Sequence, residues 1–215
     1  QNARPHWDEA CFMLALLALA GFHGITMLPL WEKGISSFAR LVGDSGTLLL
    51  SFSIALLAGL AVPTMLYSGA VAATRRIAGI AAEYKQLFSG LAFVALPLAF
   101  TYHLAHNLSH VVRESAGIWT LVFNPLGAGM QPLSVAEKQA RHMDLLIRPE
   151  LLFTLQAGLI LFGFWVALQV LRHRGQRLLP GGVSAGLTLL PMILLAIAFT
   201  GFHLWLLMQP MMMRL

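Results

Sequence analysis

Residues 86–112 read QLFSGLAFVALPLAFTYHLAHNLSHVV, and this stretch decides the fold. It holds no charged residue. It also exceeds the roughly 20 apolar residues that a helix needs to cross ~30 Å of hydrocarbon. Pro97 sits inside it, as prolines do in membrane helices. Four further runs have the same character: 10–31, 47–73 with Pro63 as a kink, 150–171, and 183–209 with Pro191 near its start. No β pattern of any length interrupts them. The expected architecture is an all-α integral membrane bundle of about five spans, a single domain over residues 1–215.

Composition supports lipid as the main solvent. Of the residues, 58% are hydrophobic and 11% charged, and the mean hydropathy is +0.74. A soluble domain of this size cannot hide that much apolar surface. The net charge of +5 suggests nucleic acid only if position is ignored. The basic residues cluster at the ends of apolar runs, where they act as topology signals, so no nucleic-acid partner is expected. Cys11 is the sole cysteine, which rules out an internal disulfide and a Cys-rich zinc or iron–sulfur site within the chain. The start, residues 1–9, lacks Met, and no small-residue cleavage site follows its apolar run. It is not read as a signal peptide, and an upstream segment or processing site is expected.

Two short basic loops set the orientation. One carries Arg75, Arg76 and Lys85; the other carries Arg172, Arg174 and Arg177. Both should face the cytoplasm of a bacterial inner membrane, which puts the N-terminus inside and the C-terminus outside. The outer side has as many basic residues, but it also holds Glu32, Asp44, Glu114, Glu137, Asp144 and Glu150. The long connection 113–149 is then outside, with Ser134 to Glu137 as a capping box opening a short amphipathic helix. A loop of that length is expected to lie on the membrane surface or to dock onto a partner. Trp7, Trp31, Trp119 and Trp205 fit interfacial belts. Gln156 and Gln169 on the fourth span are expected to hydrogen-bond between helices.

The histidines carry the chemistry. Leu19-Ala20-Gly21-Phe22-His23 in the first span matches Phe199-Thr200-Gly201-Phe202-His203 in the fifth. Ala99-Phe100-Thr101-Tyr102-His103 in the third is a looser version. These are the three spans predicted to run outward. At 1.5 Å of rise per residue, His23 lies roughly 12 Å below Trp31, His203 roughly 9 Å below Gln209, and His106 roughly 10 Å below Arg113. Imidazoles from three parallel helices therefore fall in one outer-leaflet layer. On the third helix His103, His106 and His110 share an arc of about 60°, and the i, i+4 pair His106 and His110 has the spacing with which one helix chelates a metal.

Two kinds of centre are open. A low-spin haem b needs two imidazoles from different helices across its plane, and His23, His203 and His103 or His106 supply such pairs, with room for one haem at most. Small residues nearby (Gly21, Gly24, Ala105, Gly201) make space for a porphyrin. Alternatively His23, His103, His106, His110 and His203 supply ligands for copper, zinc or iron directly. Met27, Met208, Met211, Met212 and Met213, all near the outer face, favour copper, although methionine is also a common filler of membrane surfaces. The bland reading is that the histidines only hydrogen-bond between helices or to interface water. His6, His142 and His173 lie outside the spans and receive no role. Apart from Glu150 at the very end of the fourth, no carboxylate lies within a span, which argues against a transporter coupled through buried acids. Phosphate-binding glycine loops and nucleophile motifs are absent from the sequence.

The segments Phe22-His23-Gly24-Ile25-Thr26-Met27-Leu28-Pro29-Leu30-Trp31 and Tyr102-His103-Leu104-Ala105-His106-Asn107-Leu108-Ser109-His110 resemble the membrane portion of bacterial polyferredoxin-type (4Fe–4S) electron-transfer proteins. The resemblance implies transfer of electrons between a membrane quinone and periplasmic redox partners. The cysteine runs that hold the clusters are absent here, so an iron–sulfur role does not carry over. The expected function is a membrane-anchoring electron-transfer subunit with a haem b-like centre. Two alternatives stand beside it: a copper-binding membrane protein using the His/Met layer, and a structural or assembly subunit of a larger complex.

Overall fold

A computed structural model describes residues 6–79, 83–114, 118–131, 134, 147–179 and 185–209. Among these residues every regular element is helical. Five helices are long and apolar enough to cross a membrane, and the chain is a multi-pass membrane protein.

Helix α1 runs Trp7–Thr26. Asp8 and Glu9 in its first turn suit the positive end of the helix dipole, and the His6 backbone N–H donates to Glu9 Oε2 at 3.4 Å. The first span was expected over 10–31, but α1 stops at Thr26. Pro29 has no N–H to give and would crowd the Ile25 carbonyl, so the chain turns at Met27 and Leu28. Pro29 instead takes the first position of α2, Pro29–Val42, where a missing N–H costs nothing. Helix α2 is amphipathic. It buries Ile35 and Ala39, exposes Glu32, Lys33 and Arg40, and ends at Gly43 in the left-handed region, φ 79°. Trp31 therefore belongs to a surface helix and not to the first span. Its ring meets Phe22 of α1 and Phe52 of the next helix at 5.3 and 6.0 Å, which ties three elements together.

Helix α3, Leu49–Ala78, keeps Pro63 in its interior and buries few of its side chains. Asp44 receives the Ser51 N–H at 2.8 Å and the Thr47 hydroxyl at 2.6 Å just before the helix, and these bonds hold its carboxyl below the usual range.

The third span is segmented: α4 Tyr84–Leu91, a 3-10 turn Ala92–Val94, and α5 Ala95–Glu114. Pro97 explains the break, since its ring clashes with the carbonyl four residues back, that of Phe93. The Arg174 guanidinium sits 3.9 Å above the Phe93 ring at this point. A short helix α6, Ile118–Phe123, follows. Helix α7 spans Pro149–Leu178. Residues 172–177 were expected as a loop, yet they continue α7 for two more turns, because no proline stops the helix before Pro180. Then come α8, Ala185–Thr188, and α9, Leu190–Met208. The Ser134–Glu137 capping box, Val183, Glu137, His142, Asp144 and Met211 to Met213 lie outside the described residues, apart from Ser134 itself.

The spans close into a ring. Helix α1 packs between α3 and α5, α5 between α1 and α7, and α9 between α7 and α3. Helices α1, α5 and α9, the three expected to run outward, also touch one another across the ring. The third span is the most buried of the five. Its N-terminal half, the inner one in the expected orientation, forms a large apolar core with Leu14, Leu17, Tyr67, Leu171 and Met192. Its outer half forms a smaller one with Leu28, Ile160 and Leu206.

Candidate functional site

The outer half of α5 presents Tyr102 and His106, one turn apart, to the interior of the bundle, where both are buried. Tyr102 is stacked on His203 of α9, with ring centres 4.2 Å apart and planes 15° from parallel. His106 lies 6.0 Å from Tyr102 on one side. On the other side it meets His23 of α1 at 5.1 Å, with the rings perpendicular. His110, a turn further out, is 5.6 Å from His106. The result is a chain of polar rings from the buried His203, through Tyr102 and His106, to the exposed His23 and the half-buried His110.

Close helix packing makes this possible. Gly24 lets the Tyr102 hydroxyl come against the α1 backbone, and a Cβ there would overlap that hydroxyl and lie 2.8 Å from Leu206 Cδ1. Gly21 leaves room for the Phe202 and His203 rings. On the far side, Gly163 of α7 accommodates Thr101, and Gln156 Nε2 donates to the Ala105 carbonyl at 2.7 Å. This is the interhelical bond expected of Gln156. Gln169, by contrast, is exposed on α7.

The polar atoms of this cluster are unsatisfied by protein. Six buried side-chain N or O atoms among the described residues have no partner, and four are here: Tyr102 Oη, His106 Nε2, and both ring nitrogens of His203. Such atoms cost free energy unless something outside the chain meets them. The other two, in Ser51 and Thr74, are single hydroxyls elsewhere.

The structure thus brings His23, His106 and His110 together and reaches His203 through Tyr102. His103 is different. Its ring is exposed, Asn107 Nδ2 lies 3.3 Å from both of its nitrogens, and no ring contact joins it to the others among the described residues. The sequence reading does not single out Tyr102, and it gives Gly24 only as space for a porphyrin. The signal for Tyr102 was its i, i+4 relation to His106.

The expected haem b can be tested against this geometry. A His nitrogen bonds a metal at ~2.0–2.1 Å, which puts each imidazole centre roughly 3.2 Å from the ion and two trans imidazoles roughly 6.4 Å apart. His23 and His106 stand at 5.1 Å, too close to take a porphyrin between them. A cavity of about 520 Å³ between α1, α3 and α9 has apolar lining residues and no histidine. As packed, the His23–His106 pair does not hold a haem between its rings. Two imidazoles at a tetrahedral angle on one ion would stand roughly 5.2 Å apart, which matches the observed pair. No three His, Cys, Asp or Glu side chains among the described residues already converge on one point. A three-imidazole site requires the outer rings to turn. His23 and His110 are open enough to change rotamer, while His106 is fixed by packing.

No protein family, no curated protein and no solved structure matches this chain.

Proposed function

We propose that the chain is a metal-binding subunit in a bacterial inner membrane. It holds a transition ion, copper in preference to zinc or iron, with His23, His106 and His110 near the outer face. The supporting observation is the His23–His106 pair, from two helices at 5.1 Å, with His106 Nε2 buried and unpartnered. Imidazole suits copper, and Met27, four residues after His23 and just beyond the end of α1, offers the soft thioether that Cu(I) favours. The ion supplies one-electron chemistry, or is itself the cargo handed to a partner on the outer side. The residues give it a buried anchor in His106 and an accessible edge in His23 and His110. His203 and Tyr102 back the anchor as neighbours and do not complete its ligand set.

The test is metal analysis with a visible spectrum on the purified full-length chain. Near-stoichiometric copper that disappears in His106→Leu supports the proposal. Iron with a Soret band overturns it in favour of haem. Protein without any metal, whose host complex still works after His23→Leu, His106→Leu and His110→Leu together, leaves only a structural role.

A further inference from the structure

Beyond the third span, the described residues 118–131 expose mainly apolar side chains. Helix α6 begins four residues after α5 ends, so the loop starts where the apolar run of the third span stops. From there, residues 115–136 include no charged side chain. The described part presents Ile118, Val122, Phe123, Leu126 and Met130, with Leu126 93% exposed and Phe123 82% exposed. On a water-facing loop, that display is unfavourable.

The backbone of the same loop is closed. Asn124 Nδ2 donates to the Ala128 carbonyl and Asn124 Oδ1 accepts the Ala128 N–H, both at 3.0 Å. The Gly127 N–H donates to the Asn124 carbonyl and the Met130 N–H to the Gly127 carbonyl, at 3.1 and 3.0 Å. Gly127 and Gly129 take the left-handed φ values of 62° and 75° that these turns need. A loop that satisfies its own polar groups can leave water cheaply. A surface built for a soluble partner would surround its apolar centre with a polar rim, and the uncharged run leaves little from which to build one.

We infer that the 118–131 loop inserts its Phe123–Leu126 tip into the outer interface of the bilayer and anchors the outer end of α5, the helix that carries His106 and His110. This does not depend on which ion the histidines hold.

The experiment places a nitroxide on Leu126→Cys in the full chain. The background is Cys11→Ser, and the vesicles are phosphatidylethanolamine and phosphatidylglycerol. Relaxation by oxygen is compared with relaxation by a water-soluble nickel chelate. Position 126 is already exposed, so the label does not disturb packing. Oxygen should dominate, as it should for a label at Leu57 on the lipid-facing side of α3. A label at Ser45, in the α2–α3 connection, supplies the water-facing reference. Nickel accessibility equal to that at Ser45 overturns the inference. Shielding from both reagents in native membranes also overturns it, because a protein would then cover the loop.

Discussion

The third span has two halves that treat a buried tyrosine in opposite ways. In the inner half, the Tyr67 hydroxyl of α3 donates to the Phe88 carbonyl, and Tyr84 donates to the Ser68 carbonyl at 3.1 Å. The apolar core around them leaves no side-chain polar atom of these tyrosines unpartnered. In the outer half, Tyr102 is as deeply buried, yet its hydroxyl has no partner, nor do His106 Nε2 and the nitrogens of His203. The inner half resembles a region selected only to hold helices together. The outer half carries an energetic cost that stability alone does not explain, and sites of chemistry are where such costs persist.

The sharpest way to break this contrast is to remove the outer anchor. His106→Leu should abolish metal binding while the bundle stays folded, because an apolar side chain replaces an unsatisfied one. Retained metal with unchanged stoichiometry would dissolve the distinction between the halves.

Next in size is Gly24→Ala. The added Cβ overlaps the Tyr102 hydroxyl and pushes α1 away from α5. Metal affinity should fall roughly tenfold, the scale of a lost supporting contact. Adding Tyr102→Phe removes the overlapping oxygen and should restore most of it, since the remaining close neighbours are Leu206 Cδ1, a side-chain end that can turn, and the residue-102 ring Cζ at 3.2 Å, which needs to give by only a few tenths of an ångström. A competition titration with a chromophoric chelator reads both steps.

The tyrosines themselves give a smaller effect. Tyr67→Phe should cost about 1 kcal/mol of stability through its lost hydrogen bond, whereas Tyr102→Phe should be neutral or slightly stabilising in metal-free protein. Unfolding in mixed micelles compares the two, and equal losses would remove the contrast.

The smallest effect lies outside both halves, at Asp44. Its carboxyl is held below the ordinary value of 3.8 by the Ser51 N–H and the Thr47 hydroxyl. With the folded pKa below the unfolded one, its contribution is fully present above about pH 4 and fades as pH falls through the folded value. Asp44→Asn should flatten a small acid-side decline in stability, visible in melts between pH 5 and pH 3.

Much of the membrane architecture was legible from unbroken apolar runs, because a bilayer demands length and little else. The ends of elements were harder. Pro29 was the sign that the first span stops, and the polar positions Glu32, Lys33, Ser37 and Arg40 were the sign of a surface helix. Read as one apolar run, the two merged. The basic stretch after Leu171 reads as a loop in the sequence because charge marks a membrane boundary, yet charge does not end a helix. At the site, helical rise put His23, His106 and His203 at related depths, but rise says nothing about which faces meet. The closure of the ring, the stacking of Tyr102 on His203 and the outward turn of His103 are set by packing between helices distant in sequence. Gly24 could not be weighed until the Tyr102 hydroxyl was seen against it.

X-ray absorption at the copper edge, on copper-loaded full-length protein, tests the central claim most directly. Nitrogen ligands near 2.0 Å with the outer-shell scattering of at least two imidazoles are expected, with the loss of one imidazole in His23→Leu. A copper environment without imidazole scattering, or one that His23→Leu leaves unchanged, would contradict it.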